Sequence, residues 1–288
     1  MQHWLSRRSF LRQAVVAGGA GWITNSVWAD DELGEANGPK VVRVSVEMPN
    51  LPPGLDGFRI AQVSDLHLEP YTRPRHIMRM VDACNGLEPD LVAMTGDFVT
   101  YDAKPAGQLA AMLAQIKSRH GSYACLGNHD FQSGHEKVVT ALTQQGIPVL
   151  RNESVQIHAD RGSFTLAGLD SRYIGSSNLK GALADWKPGQ PIVMLQHEPD
   201  VADDLAEMKV AALQLSGHTH GGQLRFLGMT PSVYRRARFG KKYLAGAYNV
   251  GPVKLYVNRG IGCVGVPLRV KCPPEITEIT LRSPKVAV

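Results

Sequence analysis

Five short apolar runs along this chain end in polar residues that packing alone does not call for. Phe58–Ser64 leads into Asp65-Leu66-His67, Leu91–Met94 into Gly96-Asp97, and Tyr123–Leu126 into Gly127-Asn128-His129-Asp130. Further on, Pro191–Leu195 ends at Gln196-His197, and Ala211–Leu215 at Ser216-Gly217-His218-Thr219-His220. Short apolar runs bounded by turn signals read as buried strands. Between them lie segments of helical period: Ile77, Val81 and Cys84 recur at three- and four-residue spacing, as do Leu109, Leu113 and Ile116 within 106–118, and 135–145 continues the alternation. A strand-rich end follows, at Val253–Val257 and Ile276–Leu281. Strands alternating with helices, then strands alone, predict one α/β domain with helices packed outside a pair of sheets. In such folds sites assemble at the carboxyl ends of strands.

The residues delivered there form a mixed oxygen and nitrogen donor set: Asp65, His67, Asp97, Asn128, His197, His218 and His220. Carboxylate, amide and imidazole ligands suit manganese, iron or zinc. Seven donors are too many for one ion, so two divalent metal ions are implied, and an aspartate with two oxygens can span a pair ~3.5–4 Å apart. Gly127-Asn128-His129-Asp130 alone would serve equally well as a polar turn. Its imidazole, however, can move a proton near neutrality, and its carboxylate can fix that imidazole.

This ordered set resembles the calcineurin-like metallophosphoesterases, whose pattern is D-x-H, GD, GNH[D/E], a lone H and G-H-x-H. Each element stands here in order between residues 65 and 220. Gly221-Gly222-Gln223 and Leu255-Tyr256-Val257-Asn258-Arg259-Gly260 resemble the YkuE-type branch of exported or membrane-associated bacterial members. The resemblance implies a four-layer αββα sandwich of two mixed β-sheets flanked by helices. It also implies that Asp65, His67 and His220 hold the first metal, that Asn128, His197 and His218 hold the second, and that Asp97 bridges them. A hydroxide between the metals would attack phosphorus. His129, not a ligand, would stabilise the developing charge or protonate the leaving oxygen, with Asp130 orienting its imidazole. The activity so implied is phosphoester hydrolysis, with the branch favouring a phosphodiesterase. Two other readings stay open. One is a pyrophosphatase acting on a lipid-linked sugar nucleotide such as UDP-2,3-diacylglucosamine, whose cytoplasmic setting an export signal opposes. The other is a non-catalytic metal-binding module of the envelope, which has no use for the His129-Asp130 pair.

Residues 1–29 read as a removable signal: Arg7-Arg8-Ser9-Phe10-Leu11, a modest apolar run from Ala14 to Ile23, then Val27-Trp28-Ala29. The arginine pair resembles a twin-arginine signal, which predicts passage through the Tat export machinery to the periplasm or cell envelope. An uncleaved anchor is the alternative, though the run falls short of the ~20 apolar residues of a comfortable span. Residues 30–40 read as a linker and 41–288 as the metallophosphoesterase domain. Removing the three arginines of residues 1–29 reduces the formal charge from +5 to +2, which gives no support to nucleic-acid binding.

Arg235, Arg236 and Arg238, with Tyr234, Phe239 and Tyr243 nearby, read either as a solvated loop or as a cationic, aromatic rim. Such a rim would grip an anionic, lipid-linked substrate and make peripheral membrane contact. Cys84 and Cys125 read as core residues. Cys263 and Cys272 flank a turn-rich piece and, in an exported protein, are candidates for a disulfide that two free thiols would rule out. His3, His76, His120, His135 and His158 have no motif neighbours and read as solvated or core-satisfied.

Overall fold

The computed structural model describes residues 38–160, 162–225 and 242–284. The predicted signal and most of the linker lie outside the described residues, as do Arg235, Arg236 and Arg238. One sheet has the strand order β1 (Lys40–Glu47), β11 (Glu275–Arg282), β2 (Arg59–Val63), β3 (Leu91–Thr95) and β4 (Ser122–Cys125), with only the β11–β2 pair antiparallel. The second runs β5 (Glu153–Ala159), β6 (Gly162–Gly168), β7 (Ile192–Leu195), β8 (Leu213–Ser216), β10 (Val253–Val257) and β9 (Gly246–Val250), parallel in the middle and antiparallel at both edges. The helices described are α1 (Pro74–Asn85), α2 (Ala106–Leu113), α3 (Asn128–Ser133), α4 (His135–Gln144), α5 (Leu179–Ala182) and α6 (Val201–Glu207).

The layering follows from the pleat, which sends successive side chains to opposite faces of a sheet. Ile60, Leu91 and Ala93 point inward to meet Phe164, Leu166, Val193, Leu195, Leu213 and Leu215 between the sheets. Their neighbours Ala61, Val63, Val92 and Met94 point outward, against Ile77, Met80 and Val81 of α1, Leu109 and Leu113 of α2, and Val138 and Leu142 of α4. On the far side Ile192, Met194, Leu255 and Val257 meet Val201, Ala202 and Leu205 of α6. Strands covered on both faces read as continuous apolar runs rather than alternating ones. The result is the expected sandwich of two mixed sheets flanked by helices.

Three details differ from the sequence reading. Helix α2 ends at Leu113, because Gln115 and Ile116 turn back through i→i−3 bonds to Met112 and Leu113 that tighten its last turn. Strand β9 was not expected: it pairs only with β10 at a sheet edge, and its half-exposed side chains leave no apolar run. Finally, the candidate Cys263–Cys272 bridge, left open by the sequence, is not formed. Both are buried free thiols, and the Cys272 thiol instead donates to the carbonyl of His220, 3.1 Å away.

Candidate metal centre

The parallel strands stay in register past their ends, and this brings the polar residues together. Beyond β2 and β3, Asp65 N donates to Gly96 O and His67 N to Asp97 O, at 2.9 and 3.0 Å. Beyond β7 and β8, Gly217 N donates to His197 O at 3.0 Å. The chain must turn sharply at each of these points. Asp65, His67, Asp97, His218 and His220 all have φ between 45° and 70°, in the left-handed region that ordinary residues avoid. Each such position stores strain of order 1 kcal/mol, and such residues cluster at functional sites. The motif glycines answer a different need, that of close approach. A Cβ at Gly127 would collide with the Asp97 carboxylate, and one at Gly217 with Ser64 and Asp65.

The seven predicted donors converge. Nε2 of His67 and Nε2 of His220 lie 3.1 Å apart, with Asp65 Oδ1 3.3 Å from His220 Nε2. Asp97 Oδ2 sits between the two halves of the site, 3.4 Å from His67 Nε2 and 3.1 Å from His197 Nε2. Asn128 Oδ1 and His218 Nδ1, at 2.9 Å, complete the far side. Asp65, His67, Asp97, His197 and His220 are all buried.

This donor set fits cations. His197 Nδ1 is 2.7 Å from the carbonyl of Thr95, which can only accept, so a hydrogen is on Nδ1 and Nε2 faces inward. That Nε2 is buried and makes no hydrogen bond, although two carboxylates lie within 4.0 Å. Burial disfavours charge on His197, yet Asp97 and Asp65 outweigh it and hold the pKa well above the ordinary histidine value. The pocket attracts positive charge at that point. Burial raises Asp65. It also opposes ionisation of Asp97, but His197 and His129 hold that carboxyl well below its usual range. Burial, then His197, pushes His218 down to about 3, and burial with His67 and Arg269 pushes His220 well below normal. Neutral imidazoles beside a carboxylate are ligands ready for metal. Among the described residues, three overlapping groups bring donor atoms within 4.8 Å of one another: Asp65, His67 and His220; Asp65, Asp97 and His197; and His67, Asp97 and His129.

His129 and Asp130 do not form the pair expected of them. His129 Nδ1 lies 2.9 Å from the carbonyl oxygen of Thr100, and its backbone N–H donates to Asp97 Oδ1 at 2.8 Å. Asp130 turns away from the imidazole because its two oxygens are already taken. They accept from the backbone N–H groups of Asp97, Phe98, Val99 and Gly127 at 2.8–3.2 Å. Asp130 is therefore a buried staple between the β3 loop and the start of α3. Burial and then the neighbouring Asp97 push its carboxyl up to about 7, against the pull of the Gly127 and Val99 N–H groups.

Several supporting residues were not foreseen. The carbonyls of Thr95 and Thr100 that set two imidazoles leave no trace in side-chain chemistry. Gly260 packs against Asp65, while Ile261 N and Gly262 N donate to the carbonyls of Ser64 and Asp65 at 3.0 and 2.7 Å. Arg269 is fully buried behind His220 and donates to the carbonyls of Arg259, Gly262 and Cys272. Its Nη2 is 3.4 Å from His220 Nδ1, a weak contact. Tyr173 lays its ring against His218 at 5.2 Å between centroids. That loop is held by Glu198, which accepts from the Ser171 hydroxyl and Arg172 N, and by the Tyr173 hydroxyl donating to Asp200 at 2.6 Å.

Comparison with known proteins places the chain in a family. Residues 58–222 match the family described as calcineurin-like phosphoesterase. The chain is 33% identical over 287 residues to the uncharacterized metallophosphoesterase YkuE of Bacillus subtilis, covering 97% of this chain and 98% of that one. It is 32% identical over 260 residues to a transmembrane protein with metallophosphoesterase domain from Danio rerio, covering 86% of this chain and 58% of that protein. Among solved structures it is similar to TT1561 of Thermus thermophilus, with a TM-score of 0.49 and 12% identity over 71% of this chain and 90% of that one.

Proposed function

The chain belongs to the calcineurin-like phosphoesterase family and is a metal-dependent phosphoester hydrolase; on that premise we propose that it is a phosphodiesterase built on two divalent cations, manganese, iron or zinc. Asp65, His67 and His220 would hold one, Asn128, His197 and His218 the other, and Asp97 both. Bound there, the cations supply neutralising charge for the phosphoryl oxygens and a lowered pKa for the attacking water.

The remaining tasks belong to the chain. The Thr100 carbonyl can only accept, so Nδ1 of His129 carries hydrogen in both protonation states of the ring. Protonated at Nε2 as well, the ring hands that proton to the leaving oxygen. Asp130 acts one step back, fixing the loop that carries Asp97 against the turn that carries Asn128 and His129.

One observation carries the diester reading. Two tyrosine rings, 51% and 37% exposed, flank the centre: Tyr101 lies 6.4 Å from the His129 ring and Tyr173 5.2 Å from that of His218. A substrate with an organic arm on either side of phosphorus meets a wall at both ends, whereas a monoester has one arm. Turnover of bis-p-nitrophenyl phosphate and of p-nitrophenyl phosphate by manganese-loaded protein tests this directly. The diester should have the higher kcat/KM. Equal or higher values for the monoester would count against the diester reading, and no turnover of either would favour a metal-binding module.

The twin-arginine segment Arg7-Arg8-Ser9-Phe10-Leu11 supports export through the Tat machinery to the periplasm or envelope. There the Arg235, Arg236 and Arg238 run suits an anionic, lipid-linked substrate at a membrane surface. Cell fractionation and N-terminal sequencing of the exported protein test the location. Full-length protein confined to the cytoplasm would remove it.

A further inference from the structure

A groove of about 450 Å³ opens beside the metal centre on the His129 side, lined by Leu68, Pro70, Tyr71, Tyr101, Lys104 and Pro105 among others. That volume lies in the range of pockets that enclose a small organic ligand. Its floor begins one residue past the metal-ligand candidate His67, and one wall begins one residue past Thr100, whose carbonyl holds the His129 ring. The two loops are tied together. Leu68 N donates to Phe98 O at 3.0 Å and the Thr100 hydroxyl to Glu69 O at 2.6 Å, while Glu69 N closes its own loop on Thr72 O at 2.9 Å. The Tyr71 hydroxyl donates to Gly265 O at 3.2 Å, which fixes that ring as a standing wall. Lys104 and Asp102 pair with each other at 3.2 Å on the outer rim, so their charges largely cancel there.

We propose that this groove is the leaving-group subsite and that it takes a hydrocarbon arm, the apolar alcohol of a phosphodiester. The inference rests on the phosphodiesterase reading and deepens it. The alcohol that leaves must lie on the side of the group that protonates it, and the ring of Tyr101, in the wall of this groove, lies 6.4 Å from that of His129. In the reaction one water is consumed. Its oxygen bonds to phosphorus, the bond between phosphorus and the alcohol oxygen breaks, and that oxygen takes the His129 Nε2 proton. One of the water's two protons restores the ring and the other stays with the phosphate oxygen it came in on, so the products are a free alcohol and a phosphomonoester. Leu68, Pro70, Tyr71, Tyr101 and Pro105 make most of the lining, with Glu69, Asp102 and Lys104 its charged members, and this favours a chain or ring of carbons over a sugar or nucleoside.

Calorimetric titration of the metal-loaded protein with methylphosphonate, phenylphosphonate and octylphosphonate tests the subsite without turnover. Octylphosphonate should bind at least tenfold tighter than methylphosphonate, with phenylphosphonate between them if the groove prefers a flexible chain and tightest if it prefers a flat ring. Tyr101→Ala and Tyr71→Ala should each shrink the methyl-to-octyl ratio at least threefold while melting temperature and metal content stay within error. Tyr173→Ala, on the opposite side of the centre, should leave that ratio unchanged. Equal affinity for all three phosphonates would overturn the proposal, as would a ratio lost only in Tyr173→Ala. Failure to hydrolyse bis-p-nitrophenyl phosphate would remove the parent reading alone, because the binding ratios do not depend on turnover.

Discussion

Nδ1 of His129 lies 2.9 Å from the carbonyl oxygen of Thr100, and this contact rather than a carboxylate orients the imidazole proposed as the acid. A carbonyl can only accept, so Nδ1 is a hydrogen-bearing nitrogen of that ring and is held in place through it. Asp130, the next residue in the same motif, is occupied elsewhere.

His129→Ala should therefore lower kcat by ~10²–10⁴-fold, the usual contribution of a placed acid, with metal content unchanged by elemental analysis. The loss should be larger for an alkyl ester than for a p-nitrophenyl ester, whose leaving oxygen needs little help. Loss of metal in step with activity would make His129 a ligand instead.

Asp130→Ala should act through stability. The substitution strands four backbone N–H groups in the interior. A buried donor without a partner costs ~1–3 kcal/mol. On that scale, destabilisation of at least ~3 kcal/mol by urea denaturation is expected, with weakened metal binding as Asp97 loosens. Asp130→Asn keeps one accepting oxygen and should fall between. A variant of wild-type stability with low kcat would restore Asp130 to catalysis.

The legibility of the site was uneven for a physical reason. Donors such as Asp65, His197 and His220 were plain in sequence because a carboxylate or imidazole at the end of a buried strand has few structural uses. The two sheets were plain because Leu91–Thr95 and Ile192–Leu195, covered on both faces, must be apolar throughout. What escaped was carried by the backbone. Thr95 and Thr100 act through carbonyls that every residue has, and the role of Asp130 depends on which N–H groups the β3 loop turns toward it. Arg269 escaped for another reason, since a lone arginine in a loop reads as solvated until the fold closes over it.

Gly217→Ala should be unexpectedly harmful for a one-carbon change. The added methyl would run into Ser64 and the Asp65 carboxylate, where two strand ends meet. Overpacking costs ~1–3 kcal/mol, and relief by moving Asp65 would break the first metal position. Lower melting temperature together with reduced metal content is expected. A variant with normal metal content and activity would contradict the close approach.

The thiols give a prediction about pH. Burial pushes Cys84 up to about 12 and Cys263 up to about 11. Between pH 9 and 12 the folded chain keeps protons that an unfolded chain has lost, so stability should fall as pH rises through that window. At about pH 8 native protein should resist iodoacetamide, and denatured, unreduced protein should show four thiols by titration with Ellman's reagent. A count of two would restore the Cys263–Cys272 bridge.

Metal removal should be felt by the whole fold. Asp65 and Asp97 are buried carboxylates facing three imidazole nitrogens, and five of the ligand candidates sit in the strained left-handed region. A cation that binds only the folded chain adds ~2.7 kcal/mol at a concentration about a hundred times its dissociation constant. For a chain of this size that corresponds to roughly 5 °C or more in melting temperature. Dialysis against a chelator should lower the melting temperature by about that much, and manganese should restore it. In Asp97→Asn the manganese-dependent rise should be largely lost, because the oxygen between His67 and His197 would no longer carry charge. Identical melting curves with chelator and with manganese in the wild-type protein would mean that the donors meet without holding a cation, and the proposed hydrolysis would lose its source of nucleophile.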